Sequence, residues 1–207
     1  MTKKTLLLFS YILLFLQLNA QETNTKKKYI QAYSGGMMLH TGYLFGGELN
    51  IADSPEKMTM AGAPLGIGGM MRFHIGKHFC IGGEGYNSSL HYDQYGSYMT
   101  FGWGGFLMNY QWEINKYAVF VGGTIGGGSV KNTLLSSKVS SHATEKNAVY
   151  RKYSMMVATP FVGMEYTITN RIHLVSKIDY MVNLSSKPSD FAKGFRIYAG
   201  MVFYHGM

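Results

Sequence analysis

Between residues 172 and 184 the chain alternates. Ile172, Leu174, Ile178, Tyr180, Val182 and Leu184 fall at every second position, interrupted only by Ser176, and His173, Val175, Lys177, Asp179, Met181 and Asn183 lie between them. Successive side chains of a strand point to opposite faces. As a strand, this segment has one oily face and one mixed face that carries Lys177 and Asp179. As a helix, it would scatter the same groups around its whole circumference, so the period of two decides for a strand. Such a strand fits a closed barrel in a bilayer with a polar lumen. It also fits one sheet of a soluble barrel or sandwich.

The start of the chain separates these two. Residues 1–20 read as a secretory signal: Lys3 and Lys4 precede an apolar run that is too short to span a bilayer, and Leu18, Asn19 and Ala20 end on a small residue. Cleavage is expected before Gln21, after which residues 21–28 form a polar lead closed by Lys26, Lys27 and Lys28. The remainder, 29–207, is about one domain long. Only 14% of the chain is charged, against 26 Gly, 16 Tyr, 12 Phe and 15 Met. A soluble surface draws on about a quarter charged residues, and no later segment is a candidate spanning helix. An exported chain this apolar is expected to cross a membrane with strands. Cys80 is the single cysteine, which excludes a disulfide framework. The net charge of +8 does not point to nucleic acid, since the chain is exported and has no basic helix.

Eight strands are expected, at 29–45, 64–75, 79–92, 98–112, 117–129, 153–168, 172–184 and 195–205. Most alternate cleanly. The fourth is apolar on both faces, which leaves its facing open, and Pro160 in the sixth removes a ladder donor and predicts a bulge or local opening. The connections carry the most information. Tight turns follow strands two, four and six, whereas longer polar stretches follow one, five and seven, at 46–63, 130–150 and 185–194, with a shorter polar one at 93–97.

Short turns that alternate with longer loops are the pattern of outer-membrane barrels. Over nearly its whole mature length the chain resembles the small eight-stranded outer-membrane β-barrel family, the OmpX type and the membrane domain of OmpA. The resemblance rests on alternation, strand number and loop asymmetry, with no catalytic motif shared. It implies an all-β, eight-stranded antiparallel up-and-down transmembrane barrel, with its turns in the periplasm and its loops outside a Gram-negative cell. The chain departs from the family at its end, where His205, Gly206 and Met207 follow the aromatic Phe203 and Tyr204.

If the less apolar faces point inward, Arg72, Lys177 and Arg196 share the lumen with Glu84, Glu165 and Asp179. The interior of an eight-stranded barrel is just wide enough for side chains to fill. Buried charges must pair, so these six are expected to form an internal salt-bridge network that plugs the barrel, with His40 and His74 as candidates to join it. A metal site from His40 and His74 is the alternative to that role, but no His-x-His or His/Cys cluster has ligand spacing, and no cofactor is expected. Small inward residues such as Gly68 and Gly82 leave room for larger neighbours, while the run Gly123 to Gly128 lacks the following Lys-Ser/Thr and the helix of a phosphate loop. Tyr98, Tyr110, Trp112, Tyr117 and Tyr166 suit interfacial girdles.

Catalysis is not expected. Ser88, Ser89 and His91 are close in sequence, and Ser89, His91 and Asp93 would share one face, but groups two apart on a strand stand about 6–7 Å apart, beyond the ~2.6–3.2 Å of a working hydrogen bond. The expectation is a monomeric, non-enzymatic barrel in outer-membrane lipid, with a structural or surface-interaction role through its loops. Stretches 46–63 and 130–150 are the places for an external ligand or partner. The alternative is a narrow channel or binder for small ionic or hydrophobic solutes. A soluble lipocalin-like carrier would need its oily outer face covered, and the sequence offers no amphipathic helix to cover it.

Overall fold

A computed structural model describes residues 29–50, 57–91, 96–135, 148–185 and 193–206. The expected signal and polar lead, 1–28, and the tips of all four longer connections lie outside the described residues. The strands are β1 (Ile30–Asn50), β2 (Lys57–Gly62), β3 (Leu65–Ile75), β4 (Phe79–His91), β5 (Tyr98–Ile114), β6 (Tyr117–Leu135), β7 (Ala148–Thr169), β8 (Ile172–Asn183) and β9 (Lys193–Gly206). All pair antiparallel with their neighbours, and β1 pairs with β9. That last pairing closes the sheet. β2 prolongs β3 beyond Ala63 and Pro64, so the closed wall has eight staves, in the order β1, β3, β4, β5, β6, β7, β8, β9.

The register sets the bore. One route around the wall runs from Ala32 through His74, Cys80, Asn109, Gly122, Phe161, Asp179 and Arg196. It returns to β1 at Gly42, ten residues beyond its start. Eight strands with that stagger tilt by about 40° and give a backbone radius of roughly 8 Å. Side chains alone can fill such a bore.

Two expected loops are partly strand. β1 runs on to Asn50 and pairs with β2 inside the stretch read as loop 46–63, after a register shift between Leu44 and Gly47. Likewise β6 reaches Leu135 and β7 resumes at Ala148, which shortens the 130–150 loop from both ends. Polar residues such as Lys131 and Asn132 hid these extensions, because no lipid enforces alternation there. The tight turns are where they were expected, and Gly76 (φ 59°) and Asn115 (φ 57°) supply the left-handed backbone that two of them need. At Pro160 no residue is inserted. The β7–β8 ladder pairs Ala158 with Val182 and Phe161 with Asp179 and skips the positions between them, which is an opening rather than a bulge.

Parity holds around the wall. Leu39, Ile67, Phe106, Val121, Val162, Ile178 and Ile197 are exposed on the outside, and the oil of the alternating pattern forms a band there. The open facing of the fourth expected strand is resolved in β5: Phe101, Trp103 and Leu107 point inward and are buried, while Phe106, Met108 and Tyr110 face out. Outward aromatic rings gather at both rims. Tyr110 with Trp112 (4.8 Å) and Tyr117 with Tyr166 (5.1 Å) lie near the short turns, and Tyr43, Phe45, Phe195 and Tyr180 form a chain nearer the loops.

Candidate functional site

All six charged residues expected in the lumen are inside and almost fully buried. They form three pairs. An Arg72 Nη donates to Glu165 Oε1. Lys177 Nζ donates to Glu84 Oε2 at 2.6 Å. Arg196 grips Asp179 with two parallel bonds, Nε to Oδ1 at 2.8 Å and Nη2 to Oδ2 at 2.9 Å.

Their arrangement follows from the stave order. β3 and β7 face each other across the bore, as do β4 and β8, and β5 and β9. The Arg72–Glu165 and Lys177–Glu84 pairs therefore span the full diameter. Arg196 bonds its neighbour Asp179 directly opposite in the ladder and also lies over the ring of Trp103 on the facing stave, 4.8 Å from its centre. Three cations cross the bore in succession from the short-turn end towards the loop end.

Both glutamates have further donors, which a buried ion pair needs if it is to offset its desolvation. Glu165 accepts from the Tyr204 hydroxyl at 2.5 Å, and His173 approaches it to 3.5 Å. Glu84 accepts from Thr124 at 2.7 Å and from Tyr86 at 3.3 Å. The cations are wrapped by rings: Lys177 Nζ stands 4.4 Å from Tyr198, 4.8 Å from Phe161 and 5.1 Å from Tyr86, and Arg72 lies over Phe120. These helpers were not named from the sequence. Their inward parity on neighbouring staves is the signal that could have found them.

His40 and His74 flank the pairs without bonding a carboxylate. His40 Nε2 meets Ser88 Oγ at 2.5 Å between the rings of Tyr86 and Tyr198. His74 meets Ser34 and Cys80 near the short-turn end. Of the residues considered for catalysis, Ser88 points inward to His40, Ser89 and His91 lie on the opposite parity, and Asp93 is outside the described residues. Among the described residues no three His, Cys, Asp or Glu side chains converge as a metal centre.

Beyond the ion pairs, towards the loops, the bore carries an apolar layer. Leu44, Leu90, Met99, Phe101, Val130, Met155, Val157 and Met181 are buried together as the apolar part of the core. The inward faces were expected to be the less apolar ones, yet this layer is mainly hydrocarbon, with Ser97, Asn132 and Asn183 buried at the same end. Close fits inside are made possible by glycine: a Cβ on Gly163 would stand 2.3 Å from the Phe120 ring, and one on Gly68 2.3 Å from the Tyr86 ring.

Known structures share this architecture. The attachment invasion locus protein Ail of Yersinia pestis, bound to the heparin analogue sucrose octasulfate, superposes with a TM-score of 0.53 at 14% identity, covering 85% of this chain and all of Ail. OprG of Pseudomonas aeruginosa gives 0.59 at 6% identity, over 86% of this chain and 98% of that one. Neisserial surface protein A gives 0.58 at 9%, over 83% and 96%. The chain has the fold of the small eight-stranded outer-membrane barrels. At these identities the likeness establishes the fold alone. No protein-family model and no curated protein matches the sequence.

Proposed function

We propose that this barrel is a non-enzymatic protein of a Gram-negative outer membrane whose filled lumen transports nothing and whose loop end meets an anionic surface partner. The observation that carries this reading is the packing of the bore. Three ion pairs and an apolar layer occupy it, which leaves the loop end as the surface free to act.

That end is basic where it extends past the lipid. Lys131 and Lys152 are exposed and directly opposite each other in the β6–β7 ladder, with Arg151 beside them. Lys131 lies fourteen residues up β6 from Tyr117 at the short-turn rim, about 35 Å along a barrel tilted by about 40°. The apolar band of such barrels is about 25 Å tall, so these lysines clear it. Like charges directly opposite destabilise a ladder, and an anion between them removes the penalty. Ail with its sulfated sugar is one barrel of this fold that meets a polyanion.

The test is retention of the refolded protein on immobilised heparin against a salt gradient. Retention that weakens with salt and falls sharply in Lys131→Glu supports the reading. That variant places Glu opposite Lys152, a favourable cross-strand pair, so its fold is not compromised. Wild-type protein that flows through at low salt, or a variant retained equally, contradicts it.

A further inference from the structure

Lys131 and Lys152 hold the outward parity of their strands, since Val130, Asn132, Met155 and Val157 on the other parity are buried. They face sideways from the barrel rather than into its mouth. Their row continues through Thr100 on β5 to Ser89 on β4. No outward position of β4, β5, β6 or β7 carries a carboxylate, so nothing on these staves neutralises the two ammonium groups. The pair stands about 10 Å above the apolar band. A headgroup layer is roughly 5–8 Å deep, so the two side chains overhang it.

What lies beneath them follows from the tilt. Ladder rows climb towards the loops in the direction β1, β3, β4 and onward, because the route from Ala32 returns to β1 at Gly42. The membrane normal below a residue of β6 therefore descends through β5, β4 and β3 in turn. At a tilt of about 40° it crosses one stave for every ~7 Å and moves nearly two residues along it. Below Lys131 it meets Gly102, Gly85 and Gly69, and below Lys152 it meets Ser129, Gly104 and Gly83. Beside this lane the outer wall carries Ile67, Met71, Phe106 and Ile125. The lane falls by about 20 Å, the depth of a headgroup layer and one leaflet together.

We propose that Lys131 and Lys152 hold one anionic lipid of the outer leaflet, its phosphate between the two ammonium groups and an acyl chain along the lane below. This rests on reading the lysine pair as an anion site, and it names the anion. Charge selects the headgroup: like charges directly opposite destabilise a ladder, and a phosphate with net negative charge offsets both. A choline lipid does so poorly, because its own ammonium already neutralises its phosphate. Position selects a lipid over a free anion, since the pair points over the membrane. The lane selects it again. Where the wall has no side chains, an acyl chain lies against backbone and gains contacts along its length. A soluble polyanion would use the lysines alone.

The test is native mass spectrometry of the full refolded chain, released from vesicles of equal parts phosphatidylglycerol and phosphatidylcholine with the same acyl chains. The heat-modifiable gel shift confirms that each variant is folded. Wild type is expected to retain one phosphatidylglycerol, at least fivefold in excess over phosphatidylcholine, and Lys131→Gln with Lys152→Gln to lose that preference. Gly102→Leu fills the lane, and a Cβ there meets nothing closer than 3.8 Å. It should retain several-fold less lipid while leaving heparin at the same salt concentration as wild type. Equal retention of the two lipids by wild type, or a preference that survives loss of both lysines, would overturn the proposal. Gly102→Leu retaining lipid as well as wild type would overturn it too, by reducing the contact to a headgroup alone. Heparin separates the two readings: if wild type binds heparin but prefers neither lipid, the lysines are an anion site and the lipid assignment falls. If it also flows through heparin, both fall.

Discussion

Arg72 and Glu165 stand on staves that face each other across the whole bore, 93 residues apart in sequence, and their side chains meet in the middle. Neither can reach water. Removing one partner strands the other as a buried charge, which costs about 3–5 kcal/mol, whereas replacing both with apolar groups of similar volume is often neutral. Glu165→Gln should therefore lower unfolding stability by about 3 kcal/mol or more, and Arg72→Met with Glu165→Leu should recover most of the loss. Urea unfolding in lipid vesicles measures both. A single variant within 1 kcal/mol of wild type would show that the pair is hydrated.

Conductance follows from the order of the layers in the bore. The ion pairs lie towards the short turns, and the hydrocarbon of Leu44, Leu90, Met99 and Phe101 lies beyond them. In a planar bilayer the wild type should be silent. Glu165→Gln and Arg196→Met should be silent too, since each disturbs an ion pair and leaves the hydrocarbon in place. Reproducible ion-selective steps from the wild type, altered by either substitution, would make the charged residues a conduction path and defeat the filled-lumen reading.

The staves and their facing were legible because lipid on one side enforces a period of two, and parity alone placed Arg72, Glu84, Glu165, Lys177, Asp179 and Arg196 on inward faces. The partners were not legible. Glu84 meets Lys177 across 93 residues because β4 and β8 face each other, and that depends on how the sheet closes, which no single strand encodes. The apolar layer of the lumen was hidden for a related reason: Phe101 and Trp103 gave β5 two apolar faces, a pattern equally consistent with either facing. The strand extensions around Asn50, Lys57 and Leu135 were read as loop because alternation fades above the lipid.

Gly163 tests the closeness of the packing. Its Cβ position lies 2.3 Å from the tip of the Phe120 ring, which in turn supports Arg72. Gly163→Ala should destabilise by about 1–3 kcal/mol, the range for overfilled cores. Combined with Phe120→Leu it should cost less than the sum of the two singles, because the smaller side chain relieves the ring contact while the Ser176 carbonyl oxygen, 2.7 Å from the same Cβ position, still crowds it. The same unfolding assay completes the cycle, and additive effects would show that the two positions do not touch.

The two tryptophans report the two sides of the wall. Trp112 is 45% exposed beside Tyr110 at the short-turn rim, and Trp103 is 4% exposed inside the bore under Arg196. Trp103→Phe leaves a single emitter at the interface, where an amphipathic ring settles at headgroup level. Its fluorescence should be quenched by lipids brominated near the headgroup more than by those brominated near the chain ends. Trp112→Phe leaves a single emitter walled off from lipid by the barrel, which no lipid quencher should dim strongly. Stronger quenching of Trp103 than of Trp112 by brominated acyl chains would mean that β5 is turned inside out, and with it the apolar layer that closes the lumen.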